Sequence, residues 1–157
     1  MTLIIDPQNS GIAGNMLLGA FIDLGVDVKE LKELIDYVSS PFSQVELDIK
    51  KVNTYGIEAI YVDVLENGEK ADSNNSHNKT NIRYTELLNK IDSLKTNELL
   101  SNEIIEKSKS VFERIAISES KIHGKPLDKI HFHEVGAVDG IVDVFGAIFS
   151  YFALELT

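Results

Sequence analysis

The sequence predicts a mixed α/β fold of the α+β kind: a small sheet containing a hairpin, packed by about five helices, the last of them apolar and buried. Three observations carry this expectation. The apolar period changes from near 3.6 residues to 2 after Pro41, and helical spacing returns beyond residue 82. Glycine and proline punctuate the changes, at Gly25, Pro41, Gly124 and Pro126. A nearly unbroken apolar run, "VFGAIFSYFALEL", occupies residues 144–156.

The elements follow in order. "TLIID" (2–6) reads as a short buried strand halted by Pro7, which lacks the amide donor that a central strand requires. "PQNSGIAG" is a glycine-bearing loop. "NMLLGAFIDLG" is apolar on nearly every face, hence a buried helix, with Asn15 as its N-cap and Gly25 closing it. "DVKELKELIDYV" is amphipathic: Asp27 caps, and Val28, Leu31, Leu34, Ile35 and Val38 form one stripe. Val45, Leu47 and Ile49 then alternate with polar residues, as do Ile60, Val62 and Val64, and "NTYG" between the two runs makes a hairpin. Residues 67–81, "NGEKADSNNSHNKTN", show no apolar period and read as a solvated, mobile loop. Two helices follow. "RYTELLNKIDSL" buries Tyr84, Leu87, Leu88 and Ile91; the next, over about 101–123, has Ile104, Val111, Ile115 and Ile122 as its apolar stripe and ends at Gly124. "KIHFH" is a short extended segment, and residues 138–154 form the final helix.

At 157 residues and 43% apolar content the chain fits a single domain, 1–157, with a substantial core. The formal net charge is −10 and the arginines number two, Arg83 and Arg114, so nucleic acid is disfavoured while cations are not. Without cysteine there are no disulfides, thiolate metal sites or cysteine nucleophiles, and any metal must be held by His, Asp or Glu. No signal peptide is visible at the N-terminus, and the apolar run from Gly140 carries Asp143 and only just reaches spanning length. A cytoplasmic protein without a membrane segment is expected. Exposure of the apolar helix at 140–156 would make the chain a homo-oligomer.

Two stretches have the composition of a site. "HFHEVGAVDGIVD" (131–143) holds two histidines and three carboxylates. In an extended segment His131 and His133 project to one side, as a ligand pair for a divalent metal or as ordinary strand residues, with Glu134 opposite. Asp139 and Asp143, four apart, share a helical face; Asp139 is a candidate N-cap. Asp143 lies among Val142, Val144, Phe145 and Ile148, and a carboxylate there is costly unless something pairs with it. His123 is a third ligand or a cation at a helix C-terminus. The second stretch, "DPQNSGIAGN" (6–15), has Asp6 at a strand end, then Ser10, Gly11 and Gly14 before a helix. That arrangement is a tight connecting turn or an anion site, and open α/β sheets place ligands at such strand ends. It is neither a P-loop nor a dinucleotide fingerprint.

Taken together, "LIIDPQNSGIAGNMLLGAFIDLGVD" and "KIHFHEVGAVDGIVDVFGA" resemble the N-terminal region of the nickel-pincer cofactor biosynthesis family of nickel insertion proteins, LarC. The resemblance runs along nearly the whole chain. It implies a CTP-dependent nickel chelatase of the lyase class that inserts Ni²⁺ into a pyridinium bisthiocarboxylate mononucleotide. It also implies that this chain corresponds to the front part of a longer protein whose C-terminal domain, absent here, handles CTP with a divalent metal. Carried over to matching positions, the motif residues are Asp6, Ser10, Gly11 and Gly14, then His131, His133, Glu134, Gly136, Asp139 and Asp143. Metal contact falls to His131, His133 and Glu134, with Asp6, Asp139 and Asp143 as further carboxylates; phosphate contact falls to Ser10, Gly11 and Gly14. The chain departs from the family pattern at Asn15, where Asp is usual, at Pro7–Asn9, at Gly140, and in the 71–81 tract, where His77 stands in place of a histidine-rich run. Two other readings remain beside this one: a non-catalytic scaffold or oligomerisation domain, and a phosphate-ligand-binding α/β domain.

Overall fold

A computed structural model describes residues 2–9, 11–70, 82–132 and 138–155. In chain order these form helices α1 (Gly14–Asp23) and α2 (Val28–Ser39), then strands β1 (Val45–Thr54), β2 (Ile57–Glu66), β3 (Glu69–Lys70) and β4 (Ile82–Arg83). Helices α3 (Tyr84–Asp92) and α4 (Asn102–His123), strand β5 (His131–Phe132) and helix α5 (Val138–Ala153) follow. The fold is mixed α and β, as the periodicity predicts.

Strands β1, β2 and β3 form an antiparallel sheet in that order, and β4 pairs antiparallel with β5 in a second, two-stranded sheet. Val45, Leu47, Val62 and Val64 face the core. Thr54 pairs with Ile57, leaving a two-residue turn, Tyr55-Gly56, with φ of 54° and 82°. Both residues take positive φ because only a turn of that hand matches the right-handed twist of the strands it joins. Asn67-Gly68 repeats the device with φ of 52° and 85°, so Glu69 and Lys70 return alongside Glu66 and Leu65. The expected loop 67–81 therefore begins as a second hairpin; residues 71–81, His77 included, lie outside the described residues.

Helix α5 packs against α1, α2 and α4, and α1 also lies on β2. Leu18, Leu31, Leu34, Ile35, Phe112, Ile141, Val142 and Phe145 are the centre of the core. Asp27 caps α2, its Oδ1 accepting from the Lys29 and Glu30 amides, and Ser101 caps α4 through the Ile104 amide. Gly124, at φ 60°, ends α4 in the left-handed conformation.

Three expectations are corrected. Residues 2–6 form no strand, and Ile4 and Ile5 are 86% and 48% exposed. An apolar run becomes a strand only where a neighbour accepts its backbone hydrogen bonds, and none of the described strands does so. Asp6 accordingly stands at no strand end, and the two sheets formed by the described residues are antiparallel. Asn15 is not the N-cap of α1: the helix begins at Gly14 from Ala13, and Asn15 Oδ1 accepts from the Met16 amide at 2.8 Å. The stripe of α4 is Ile104, Ile105, Ser108, Phe112 and Ala116, whereas Val111 and Ile122 are exposed. One phenylalanine at the right angle outweighs two aliphatics at the wrong one, because ring burial removes more apolar area. As the sequence predicts, α5 is largely buried, with Val138, Ile141, Val142, Phe145 and Phe149 in the core.

Candidate functional site

The two motif-bearing stretches meet where α1 and α5 begin. Helix α1 starts without a side-chain cap, because Ala13 occupies the capping position. A helix start left in that state has unpaired amides and a partial positive charge. Asp143, in the second turn of α5, lies against it: a Cβ at Gly14 would overlap the Asp143 carboxylate carbon. Glycine is thus required at position 14 by close approach, and the carboxylate finds a favourable electrostatic setting among the apolar residues around it. The partner that the composition around Asp143 demands includes the start of another helix.

Beside this contact is a polar cleft of about 80 Å³ lined by Ala13, Asn15, Asp63, Val64, Asp139 and Asp143. Asp139 stands in the first turn of α5, where a carboxylate complements the helix dipole. Asp63 is a residue that sequence reasoning missed. It accepts a hydrogen bond from the Tyr61 hydroxyl at 3.2 Å and pairs with Lys70. That hydrogen bond to Asp63, reinforced by its charge, holds the Lys70 ammonium above the ordinary lysine value. The signal was present in "YVDVLENGEK": an acid between two inward valines, followed by an Asn-Gly turn that returns a lysine to the acid's side of the sheet.

His131 is placed elsewhere. It sits on β5 opposite Arg83 of β4, and the Arg83 Nε–H donates to His131 Nε2 at 3.1 Å. It does not line the cleft. Asp6 is exposed and turned on its own backbone, Oδ1 accepting from the Gln8 amide at 3.0 Å, and it does not line the cleft either. Gly11 takes φ 71° and its amide donates to the Pro7 carbonyl at 2.9 Å, making the tight turn ahead of α1. His123, at the end of α4, pairs with Glu119 at 3.2 Å within its own helix. Ser10, His133, Glu134 and Gly136 lie outside the described residues.

Of the predicted site residues, then, the fold brings Gly14, Asp139 and Asp143 together and keeps Asp6 and His131 away from their cleft. Among the described residues no group of three or more His, Cys, Asp or Glu is disposed to hold a metal ion. No helix among them is long and apolar enough to cross a membrane.

Comparison with known proteins places this geometry in context. The family model described as "Nickel insertion protein" matches residues 3–157. A putative nickel insertion protein of Methanosphaera stadtmanae is 39% identical across 99% of this chain and 37% of its own length. The pyridinium-3,5-bisthiocarboxylic acid mononucleotide nickel insertion protein of Thermotoga petrophila is 41% identical across 93% of this chain and 34% of its own length. The protein of the same name from Staphylococcus saprophyticus is 36% identical across 94% of this chain and 33% of its own. The chain thus spans about a third of the length of the curated relatives it matches. No solved structure matches it.

Proposed function

Since this chain belongs to the nickel insertion protein family, we propose that it acts in inserting Ni²⁺ into pyridinium-3,5-bisthiocarboxylic acid mononucleotide, as the N-terminal part of such a protein. The reaction builds the nickel-pincer cofactor and belongs to the chelatases among the lyases. The observation that carries the reading is the convergence of the two motifs: Gly14 of the first packs on Asp143 of the second, although more than a hundred residues separate them.

In this reading nickel is the cargo and His131, His133 and Glu134 are its contacts. Imidazole and carboxylate are suitable donors for a divalent nickel ion where no thiolate exists. Asp139 and Asp143, with Asp6 more remotely, add negative potential that draws the cation in. The substrate's phosphate falls to Ser10, Gly11 and Gly14, where glycine permits close approach of backbone amides to an anion. CTP and its divalent metal belong to other parts of a full-length protein. We place the work in the cytoplasm and expect copies of the chain to associate.

A second reading has one observation in its favour. Asp143 and Gly14 form a packing contact that needs no metal, which suits a scaffold whose motif residues now serve the fold. Calorimetric titration of Ni²⁺ into the protein at neutral pH separates the two. Saturable binding that is lost in the His131→Ala/His133→Ala double variant is expected; a heat of dilution alone from the unaltered protein supports the scaffold and overturns nickel handling by this chain.

A further inference from the structure

We propose that the open edge of β1 is where a second copy of the chain adds its own β1, joining two sheets into one across a two-fold axis at Ile49. The inference gives a surface to the association of copies and stands or falls apart from nickel handling.

The hairpin fixes the direction of each backbone group. Its two-residue turn makes Thr54 and Ile57 a hydrogen-bonded pair, and at the other end Gln44 accepts from the Asn67 amide at 3.2 Å. The even-numbered residues of β1 therefore turn their amides and carbonyls to β2. Val45, Leu47, Ile49, Lys51 and Asn53 turn theirs outward, and among the described residues no backbone group pairs with them there. The opposite edge of the sheet is covered instead. β3 pairs with one end of β2, and farther along α1 lies so close that a Cβ at Gly19 would overlap the Ile60 carbonyl oxygen. The β1 edge has no proline, glycine or bulge to discourage pairing, so it is a template for another strand. Beside it, between α2 and β1, runs a groove of about 270 Å³ whose lining includes buried Ile35, Val45 and Leu47 and exposed Glu33 and Asp36.

The charges of β1 name the occupant. In "VELDIKK" (45–51) the acids precede Ile49 and the bases follow it, so an antiparallel copy meets each half with the opposite sign. Centred on Ile49, the pairing sets Asp48 opposite Lys50 of the second copy and Lys50 opposite its Asp48. Asp48 and Lys50 already form an ion pair within the strand, so the four side chains alternate in sign across the axis. Leu47 is then opposite Lys51 of the second copy, on the face of the strand where Glu33 and Asp36 border the groove. Centres one or two residues away set like charges against each other: Asp48, Lys50 or Lys51 on itself, or Glu46 on Asp48. A two-fold interface makes each favourable contact twice.

Sedimentation equilibrium and amide exchange test this on the 157-residue chain. The unaltered protein is expected to dimerise, with exchange at the Leu47, Ile49 and Lys51 amides slowing as its concentration rises. Asp48→Lys and Lys50→Asp are surface changes that turn two attractions into repulsions, and each is expected to weaken the dimer by about tenfold or more. Mixing the two variants restores it, because each presents to the other the sign its own copy lacks. The double variant Asp48→Lys/Lys50→Asp dimerises again for the same reason. A monomer at every concentration overturns the proposal. So does a dimer indifferent to both single variants, a mixture of the two that stays monomeric, or a dimer that leaves those three amides unprotected.

Discussion

Gly14 and Asp143 are the pair of residues on which the meeting of the two motifs depends. A methyl group at position 14 has to push the Asp143 carboxylate off the start of α1. Gly14→Ala is therefore expected to destabilise the protein by about 1–3 kcal/mol, the range for overpacking a site that cannot open freely. Urea unfolding at constant m measures it. Asp143→Ala removes the carboxylate that faces the uncapped helix and is expected to cost about 0.5–2 kcal/mol, as loss of an N-terminal anion or cap does. The two costs should not add, because the alanine at 14 no longer meets a carboxylate once position 143 is shortened; a sum that adds within about 0.5 kcal/mol would refute the contact. None of this follows from spacing alone. The sequence around Asp143 shows that a carboxylate in an apolar run needs a partner, but only the packing of α5 on α1 brings Gly14 to it.

At the level of elements, the two tight turns differ in how well their residues suit them. Asn67-Gly68 is the favoured pair for a turn with two positive φ values, whereas Tyr55 takes φ 54° with a full aromatic side chain, wholly exposed. Tyr55→Asn is expected to stabilise the hairpin by a few tenths of a kcal/mol up to about 1 kcal/mol, read as a rise in the denaturant midpoint. Gly56→Val should do the reverse. Helix α4 offers a parallel check at its start, where Ser101 caps the Ile104 amide and Ser101→Ala should cost about 1 kcal/mol. The hairpin of β1 and β2 was legible because strict alternation and a glycine turn coincide in "VELDIKKVNTYGIEAIYVDV". The strand at 2–6 was not, since an apolar run specifies an extended backbone without specifying who pairs with it. The stripe of α4 is hidden in the sequence for a third reason. Isoleucine and valine recur at steps of seven and four around one angle, but the core sits at the angle of Phe112 and Ala116.

For the whole molecule, pH acts through a core residue remote from the cleft. Tyr84 is 6% exposed and edge-on to Phe132; burial pushes its phenol above the ordinary value, and the nearby charge of Glu113 adds to the shift. The folded protein therefore keeps this proton at a pH where the unfolded chain has lost it. Below about pH 10 both states are protonated and the group contributes no pH dependence; above it the unfolded state gains by ionising, and stability falls as pH rises. Tyr84→Phe should flatten that alkaline limb of the unfolding free energy above about pH 10. What the sequence by itself determined was local: that Asp27 caps α2 and Gly124 ends α4, which strands form a hairpin, which family the two motifs announce, and that Asp143 must have a partner. Each of these is decided within a few residues, by turn chemistry, periodicity or the cost of burying a charge. The tertiary structure alone decided that the two motifs meet through Gly14 and Asp143, that Asp63 joins their cleft, and that His131 faces Arg83 instead of Asp139 and Asp143. Those outcomes depend on how helices pack and which strands pair over long separations, and the side-chain period of an element carries no information about the element it will meet.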